Sequence, residues 1–518
     1  MKNKKEEEKE YRTIQFLVKQ GNPLNKYLMN LMHLSNNLYN ATNSHIRQMY
    51  TGLKIEECKR HSLQQEVIDL FSNTIPVINK HNTEKFHRLV NEDIMSAKKL
   101  KSYRKLTRFN IPTAEKSFVS YELLDAVFKT SKNKDYNSLP SHVNQGIMKT
   151  VYSDWKSFTE GLKDYKVNPN KYKGKPRPPR YKTKGVANEL YFTNQVCKIK
   201  EDKNGKKFLR FPKTKLKFNL SKHLLDKIDS DYKLVQVRVQ KFYNDVKLEI
   251  ILDCSKQVKE MIPEEKIENI MALDLGVNNL VAGVSNNKMQ PFIINGKPIK
   301  SINQYYNKLR AHYSKYLRMG KAPKEGSYTS ARLDSIDRLR NLAVKDYMHK
   351  VSKRIVDEAL KNNIHKVIVG YNPTWKDDVQ MKKDDKQNFK MIPFRMLLDM
   401  LEYKLKAEGI HLKEKEESYT SKASFLDGDI IPTYGDAVNY IFSGKRVHRG
   451  LYVSKNGISI NADINAACNI LRKHSGKEII ISHKELSKIR KITIKKGSKK
   501  KENYLDTLFK VNSEMIFA

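Results

Sequence analysis

The chain has 518 residues, of which 39% are apolar, and its 99 Lys and Arg against 57 Asp and Glu give a formal net charge of +42. This length accommodates roughly three domains, and the lack of any run of about 18 apolar residues argues against a membrane-spanning protein. The positive charge predicts a polyanionic partner, because a bound nucleic acid releases counterions and relieves repulsion within the protein.

The first residues, MKNKKEEEKE, show no apolar signal core, so the sequence predicts a cytoplasmic protein without a membrane partner. The cysteines are widely spaced and form no C-x-x-C pair. The sequence therefore predicts neither a disulfide framework nor a thiolate zinc site. The cysteines are Cys58, Cys197, Cys254 and Cys468.

The amino-terminal part begins with a predicted strand at Tyr11–Val18 and continues, from Asn25 onward, with apolar residues at helical spacing. A stripe of apolar residues at steps of three and four predicts the buried face of one of these helices. Its members are Val143, Ile147, Val151, Trp155 and Phe158.

A basic segment follows, in which residues 166–184 (KVNPNKYKGKPRPPRYKTK) combine four prolines with many cations. The prolines exclude a regular helix or a central strand, so we interpret the segment as a basic linker. The next stretch alternates apolar and polar residues, with Asn244 and Asp245 as turn residues between two strands. After Glu265, short apolar runs alternate with amphipathic helices, which predicts a mixed α/β domain.

Two acidic residues lie at the ends of predicted elements in this last part. A buried strand at residues 270–273 leads into Asp274, and Gly276 then makes a tight turn into a second strand. Asp463 stands at the head of a helix whose small residues suit packing on a sheet. Taken singly, Asp274 could be a turn residue and Asp463 a helix N-cap. Together they suit a two-metal nuclease, because Mg²⁺ prefers oxygen ligands, although such a site normally needs a third acid.

Several segments of the chain resemble one protein family. LDLGVNNL and NADINAACNIL resemble the first and third RuvC motifs of TnpB proteins and of type V CRISPR effector nucleases, and LPSHVNQGIMKTVYSDWKSF resembles the helical stretch upstream in TnpB. The resemblance spans most of the chain and implies that Asp274 and Asp463 are catalytic. It also includes YMHKVSKRIVDEAL, VIVGYNPTWK, NFKMIPFRMLLDMLEYKLKAEGI, EESYTSKASFLDGDIIP and FSGKRVHRGLY.

The second RuvC motif departs from the usual family pattern. It normally ends a strand with glutamate, but here the matching strand, HKVIVGYN, has Gly370 in that place. A subgroup of the family moves the acid to the neighbouring strand, where this sequence offers Glu416 and Glu417. Since successive strand residues face opposite sides, only one can point toward the metal ions. We predict that Glu417, which fits the E-x-Y-T-S pattern, is the relocated catalytic glutamate, with Glu416 as the alternative. The non-functional interpretation is that both are solvated glutamates at the end of a strand.

Most relatives insert a zinc ribbon of two C-x-x-C pairs between the second and third motifs. That interval contains no cysteine here, so zinc is not expected. Three cations in it, Lys445, Arg446 and Arg449, are candidates for contacts with a nucleic-acid backbone, and ordinary surface charge explains them equally well.

The resemblance implies a multi-domain α+β architecture that combines a β-barrel wedge module, a helical recognition lobe and a RuvC-like domain of the ribonuclease-H fold. The expected boundaries are 1–24 for the first part of the wedge module, 25–170 for the helical lobe, 171–265 for the basic linker and second part of the wedge, 266–484 for the nuclease domain and 485–518 for a basic tail.

The implied function is RNA-guided cleavage of DNA that depends on Mg²⁺, which Mn²⁺ can replace, with a guide RNA and a target DNA carrying a short adjacent motif as partners. Gly370 keeps open the alternative of a guided DNA-binding repressor that has lost cleavage, and a stand-alone resolvase or transposase is a third hypothesis. The resemblance fits a transposon and a CRISPR locus equally well as the source of the chain.

Overall fold

The computed structural model of the chain describes residues 9–95, 106–220, 233–255, 259–372, 383–433, 440–448, 450–476 and 479–494. The chain divides into two units, Met1–Ser255 and Lys256–Ala518, and each has its own hydrophobic core. Within the ranges described, no helix is both long enough and apolar enough to cross a bilayer.

The first unit has a helical region between its first strand and its remaining strands. Asn22 caps the first helix by accepting a hydrogen bond from the backbone N–H of Leu24, and Pro23 occupies the first turn, where a missing N–H costs little. The helices are α1 (Pro23–Gly52), α2 (Ser62–Met95), α3 (Tyr121–Thr130), α4 (Lys134–Ser138) and α5 (Ser141–Val167).

The apolar stripe predicted from the sequence lies on α5 and packs into the core of this unit. Four of its members are buried, and Phe158 packs against the same core from a half-buried position. Trp155 is fully buried, and its indole N–H donates to Asn43 Oδ1 of α1 over 2.8 Å. The stripe is therefore confirmed as a packing face.

The strands of the first unit form two antiparallel sheets, β1-β7-β6-β2 and β3-β4-β5. The strand predicted at the amino terminus is confirmed, and it pairs over its whole length with β7, from Tyr11 opposite Asp253 to Val18 opposite Val246. In the part described, β1 and β2 are edge strands, and the barrel stays a prediction. The strands are β1 (Tyr11–Val18), β2 (Leu190–Thr193), β3 (Lys198–Glu201), β4 (Lys207–Arg210), β5 (Lys217–Asn219), β6 (Lys233–Phe242) and β7 (Asp245–Asp253).

The turn between β6 and β7 differs by one residue from the prediction. Phe242 pairs with Asp245, so the turn residues are Tyr243 and Asn244. Tyr243 takes a positive φ of 57°, a conformation that a non-glycine residue adopts only when the surrounding pairing imposes it.

The second unit is a six-stranded mixed sheet, β12-β11-β8-β9-β10-β16, with helices packed on it. A small antiparallel sheet, β13-β14-β15, accompanies it. The strands are β8 (Ile270–Leu275), β9 (Asn279–Ser285), β10 (Phe292–Asn295), β11 (Lys366–Gly370), β12 (His411–Lys415), β13 (Lys445–His448), β14 (Leu451–Val453), β15 (Ser459–Asn461) and β16 (Arg490–Ile492). The helices are α6 (Lys297–Arg318), α7 (Ala331–Lys361), α8 (Lys383–Lys390), α9 (Phe394–Ala407), α10 (Ala462–Ser475) and α11 (His483–Ser487).

Three neighbouring strands of the large sheet run in the same direction, because β11 pairs in parallel with both β8 and β12. Their carboxyl ends therefore meet at one edge of the sheet, where α/β proteins place their ligands. Helix α10 lies against β8, β9 and β11, and its Ala466, Ala467 and Ile470 are buried there, as the sequence predicted.

The last strand falls in the segment that the sequence assigned to the basic tail. Residues 490–492 form β16, which pairs in parallel with β10. The Arg490 guanidinium donates to the buried carboxylate of Glu358 on α7, which also pairs with Arg354 over 2.8 Å. The sheet thus extends to Ile492, and the predicted tail from residue 495 onward lies outside the described residues.

Candidate active site

Asp274 is a strand residue rather than a turn residue. It pairs with Ala282 of β9 and is half-buried between Leu273 and Leu275. Burial raises its pKa well above the usual range, and the negative charges of Glu417 and Asp463 raise it further, against a smaller opposite effect of Arg446. The structure therefore brings all three predicted carboxylates into one electrostatic neighbourhood.

The predicted tight turn after β8 depends on Gly276. Its N–H donates to the carbonyl of Leu280 over 3.2 Å, and a Cβ at this position would lie 2.5 Å from the Asn279 carbonyl oxygen. No real Cβ tolerates that distance, so the turn that follows Asp274 requires glycine.

Gly370 is the last residue of β11, one position beyond the pairing of Val369 with Leu273. A Cβ at Gly370 would lie 2.9 Å from Glu417 Oε2 and 2.5 Å from Ile470 Cδ1. The carboxylate of Glu417 thus occupies the space that a side chain at Gly370 would take.

The environment of Glu417 strongly favours its neutral form. Burial raises its pKa to about 8, and the charge of Glu416 adds to this effect while Lys473 opposes it. Its Oε2 is buried and accepts no hydrogen bond from any residue that the structure describes. A buried carboxylate oxygen without a donor costs free energy, which a proton or a bound cation would recover.

Glu416 points elsewhere and is already satisfied. It receives a hydrogen bond from the backbone N–H of Ser418 over 2.6 Å and forms an ion pair with Lys473 of α10. Burial raises its pKa, but these hydrogen bonds and the charge of Lys473 outweigh that effect and leave the pKa below its usual value. Both glutamates come directly after β12 rather than within it, and they diverge as an alternating strand would make them.

Asp463 lies in the first turn of α10 without being its cap. Asn461 is the N-cap and accepts hydrogen bonds from the N–H groups of Asp463 and Ile464. The carboxylate of Asp463 accepts a hydrogen bond from Asn279 Nδ2 over 2.7 Å on one oxygen and lies 3.3 Å from Arg446 Nη2 on the other. The N-cap interpretation of Asp463 is therefore wrong, because the residue two positions earlier fills that role.

The three cations predicted to contact a nucleic-acid backbone differ in their surroundings. Arg446, on β13, faces Asp463 and also lowers the pKa of Asp274, so its positive charge belongs to the carboxylate site. Lys445 is exposed on the same strand. Arg449 lies outside the described residues. Asn279, at the start of β9, donates to Asp463 and orients it. No sequence pattern singled out this residue, because an asparagine after a turn is common.

The carboxylates supply the donor type that Mg²⁺ prefers, and the unpartnered Glu417 Oε2 suits a cation. As they stand, no three His, Cys, Asp or Glu side chains in the described part of the chain form a group that could hold a metal ion. Asp274, Glu417 and Asp463 are thus chemically suited to divalent cations without forming a closed ligand set.

Comparison with known proteins finds two family models that match parts of the chain. Residues 250–376 match the OrfB_IS605 family, described as a probable transposase, and residues 394–470 match the TNB domain of Cas12f1-like proteins. A TnpB-like protein of Methanocaldococcus jannaschii is 24% identical over 168 residues, which are 32% of this chain and 58% of that relative. The chain resembles TnpB over this part of its length.

Asp274 and Gly370 lie in the first matched segment, and Glu417 and Asp463 lie in the second. Among solved structures, a Cas12f1 complex with single-guide RNA and target DNA is 14% identical, with 89% of this chain and 98% of that chain covered and a TM-score of 0.45. The mini-RNA-guided endonuclease CRISPR-Cas phi3 is 10% identical, with 92% and 94% covered and a TM-score of 0.37.

Proposed function

We propose that the protein is an RNA-guided DNA endonuclease of the RuvC type, in which Asp274, Glu417 and Asp463 hold Mg²⁺ or Mn²⁺. The main support for this proposal is that the Glu417 carboxylate lies where a side chain at position 370 would otherwise stand. The strand that usually ends in the catalytic glutamate ends in glycine, and the carboxylate of Glu417 fills the vacated space, 2.9 Å from where a Cβ would stand.

When bound, the metal ions would activate water and stabilise the leaving oxygen of a phosphodiester. The residues of this chain prepare the site for them. Asp274 and Glu417 are destabilised as free carboxylates by burial and by neighbouring negative charge, so a cation is favoured over an empty charged site. Asn279 fixes one oxygen of Asp463, and Arg446 adds a positive charge on the exposed side that suits a phosphate.

The partners in this proposal are a guide RNA and a target DNA with a short adjacent motif. The net charge of +42 supports a large nucleic-acid partner. In such a complex base pairing with the guide selects the sequence, while the protein holds the duplex through its backbone.

The decisive experiment compares Glu417→Gln with Glu416→Gln in guided cleavage of a plasmid that carries a matched target. Glu417→Gln keeps the size of the side chain but removes the charge that holds the metal, so cleavage should fall by at least about 100-fold. Glu416→Gln is the matched control, and it should do much less because Glu416 already pairs with Lys473. Target binding is followed separately, so that a cutting defect is not confused with lost recognition.

A guided DNA-binding repressor that no longer cuts is the second candidate. It is favoured by the engagement of both Asp463 oxygens, by Asn279 and by Arg446. If the unaltered protein binds its matched target in the presence of Mg²⁺ but never cuts it, the repressor replaces the nuclease. If both glutamine variants cut like the parent, the relocation of the catalytic glutamate to Glu417 is wrong.

A further inference from the structure

The basic segment interpreted from the sequence as a linker is held along its length by two helices. We call residues 171–184 the basic strip. It contains seven Lys or Arg and no acidic residue. Its prolines exclude helix and central strand, as expected, but its backbone carbonyls are bound by side chains of α1.

Three asparagines of α1, which we call the asparagine ladder, make these contacts. Asn36, Asn40 and Asn43 follow one another at steps of four and three, so they lie on one face of the helix. Asn36 Nδ2 donates to the Thr183 carbonyl over 2.8 Å, and Asn43 Nδ2 donates to the Pro179 carbonyl over 3.2 Å.

Asn40 forms two hydrogen bonds with the strip, one through its amide nitrogen and one through its amide oxygen. Its Nδ2 donates to the Lys182 carbonyl over 2.9 Å, and its Oδ1 accepts from the Lys182 N–H over 2.8 Å. Arg47, one turn further along α1, also donates to the Pro179 carbonyl. Because Asn36 and Asn43 are almost fully buried, losing the strip would leave buried amides without partners.

The other end of the strip is attached to α5. Tyr172 donates its hydroxyl to Asp164 over 2.6 Å, and Pro176 lies over Gly161, at 3.9 Å from where a Cβ would stand. Contacts thus occur from Tyr172 to Thr183, which makes the strip a fixed part of the first unit rather than a loose connection.

The fixed backbone presents a row of cations to solvent. Lys182 is half-buried, with its ammonium group 4.2 Å above the ring of Tyr39. Tyr181 is exposed and lies 5.0 Å from the Arg47 guanidinium, so an aromatic ring accompanies the cations. The exposed cations of the strip are Lys171, Lys173, Lys175, Arg177, Arg180 and Lys184.

We propose that the basic strip, held rigid by the asparagine ladder, is a binding edge for the phosphate backbone of the guide RNA. This inference rests on the proposed function, which supplies an RNA partner. Charge complementarity selects a polyanion, and a backbone ordered in advance spares the entropy of arranging the cations when the RNA binds. Such a preformed edge suits a partner that remains on the protein while successive DNA targets are bound and released. In the proposed function that partner is the guide RNA.

The first experiment removes charge from the strip and from a matched surface. Each variant loses four exposed cations of the first unit, and affinity is measured against salt for an RNA hairpin of about 20 base pairs and for a DNA duplex of the same sequence. The strip variant is Lys173→Gln, Lys175→Gln, Arg177→Gln and Arg180→Gln. The control is Lys198→Gln, Lys200→Gln, Lys206→Gln and Lys207→Gln, on the hairpin of β3 and β4.

The strip variant should bind the RNA at least about 10-fold more weakly, and the slope of log affinity against log salt should fall by up to about 3, since each phosphate contact contributes about 0.7 to 0.9. Equal losses in the two variants would show diffuse attraction and overturn the proposal. An equal or larger loss for DNA would overturn the assignment to RNA. If the strip variant binds RNA like the parent, which itself binds RNA and cuts, the strip proposal fails while the proposed function stands.

A second experiment tests the ladder without changing any charge. Asn40→Ala removes both hydrogen bonds to Lys182, and Asn37→Ala, at an exposed position on the same helix, is the control. The amide of Lys182 should exchange with solvent faster in Asn40→Ala, and RNA affinity should fall although all cations remain. Faster exchange with unchanged affinity would show that order in the strip does not serve RNA binding.

Discussion

Placing a methyl group at Gly370 tests the central feature of the candidate site directly. In Gly370→Ala, the new Cβ would stand 2.5 Å from Ile470 Cδ1 and 2.9 Å from Glu417 Oε2. Both distances are too short for ordinary contact, so both neighbours must move. Ile470 can yield by moving the end of a flexible side chain, whereas Glu417 can yield only by withdrawing its carboxylate from the position above β11.

Two consequences of different size follow. Overpacking of this kind costs about 1 to 3 kcal/mol of stability, which should lower the melting temperature of the protein by several degrees. A displacement approaching 1 Å in a group that holds the reacting centre costs about 100-fold in rate. Cleavage should therefore fall far more than the loss of stability explains, while guided DNA binding persists.

The assay is guided plasmid cleavage, measured with target binding and thermal unfolding on the same preparations. Gly146→Ala is the matched control, since a Cβ there meets nothing within 4 Å and an alanine in the second turn of α5 should stabilise the helix slightly. Adding Ile470→Val to Gly370→Ala removes the closest apolar clash, with Ile470 Cδ1, and should recover part of the lost stability but not cleavage. Cleavage at the parental rate by Gly370→Ala would refute the placement of Glu417 in the catalytic centre.

Other predictions concern the metal and its surroundings. Asn279→Ala removes the hydrogen bond that orients Asp463, so the Mg²⁺ concentration for half-maximal cleavage should rise by about 10-fold or more. Asn278→Ala is the control, and an unchanged Mg²⁺ dependence in Asn279→Ala would contradict this role. Because burial raises the pKa of Glu417 to about 8, deprotonation should strengthen Mn²⁺ binding between about pH 6.5 and about pH 9 in calorimetry, and Glu417→Gln should flatten that dependence. Asp274→Ala should abolish cleavage and leave guided binding largely intact, and loss of both would indicate a folding role. Chelation by EDTA should stop cleavage and a zinc-selective chelator should not, whereas stoichiometric zinc in a metal analysis would contradict an oxygen-ligand site.

Local pattern in the sequence was sufficient to predict several elements. The strand at Tyr11–Val18, the buried face of α5 and the packing of α10 on a sheet all follow from the period of their apolar residues. The same reasoning placed Asp274 beside a strand and Asp463 at the start of a helix. It missed the exact turn between β6 and β7, because several polar residues there suit a turn and only the strand register decides among them.

The amino-acid sequence by itself determined the carboxylate inventory, the glycine at the end of β11 and the positive charge, since these are properties of residue types. Tertiary structure decided how they are used. Sheet order brings the ends of β8, β11 and β12 to one edge. At that edge the Glu417 carboxylate fills the space beside Gly370, and Lys473 forms an ion pair with Glu416. The asparagine ladder likewise holds a proline-rich basic segment in place as a fixed edge. The sequence could not predict this, because the ladder and the segment lie far apart in the chain and no local pattern shows which backbone carbonyls a buried amide will contact.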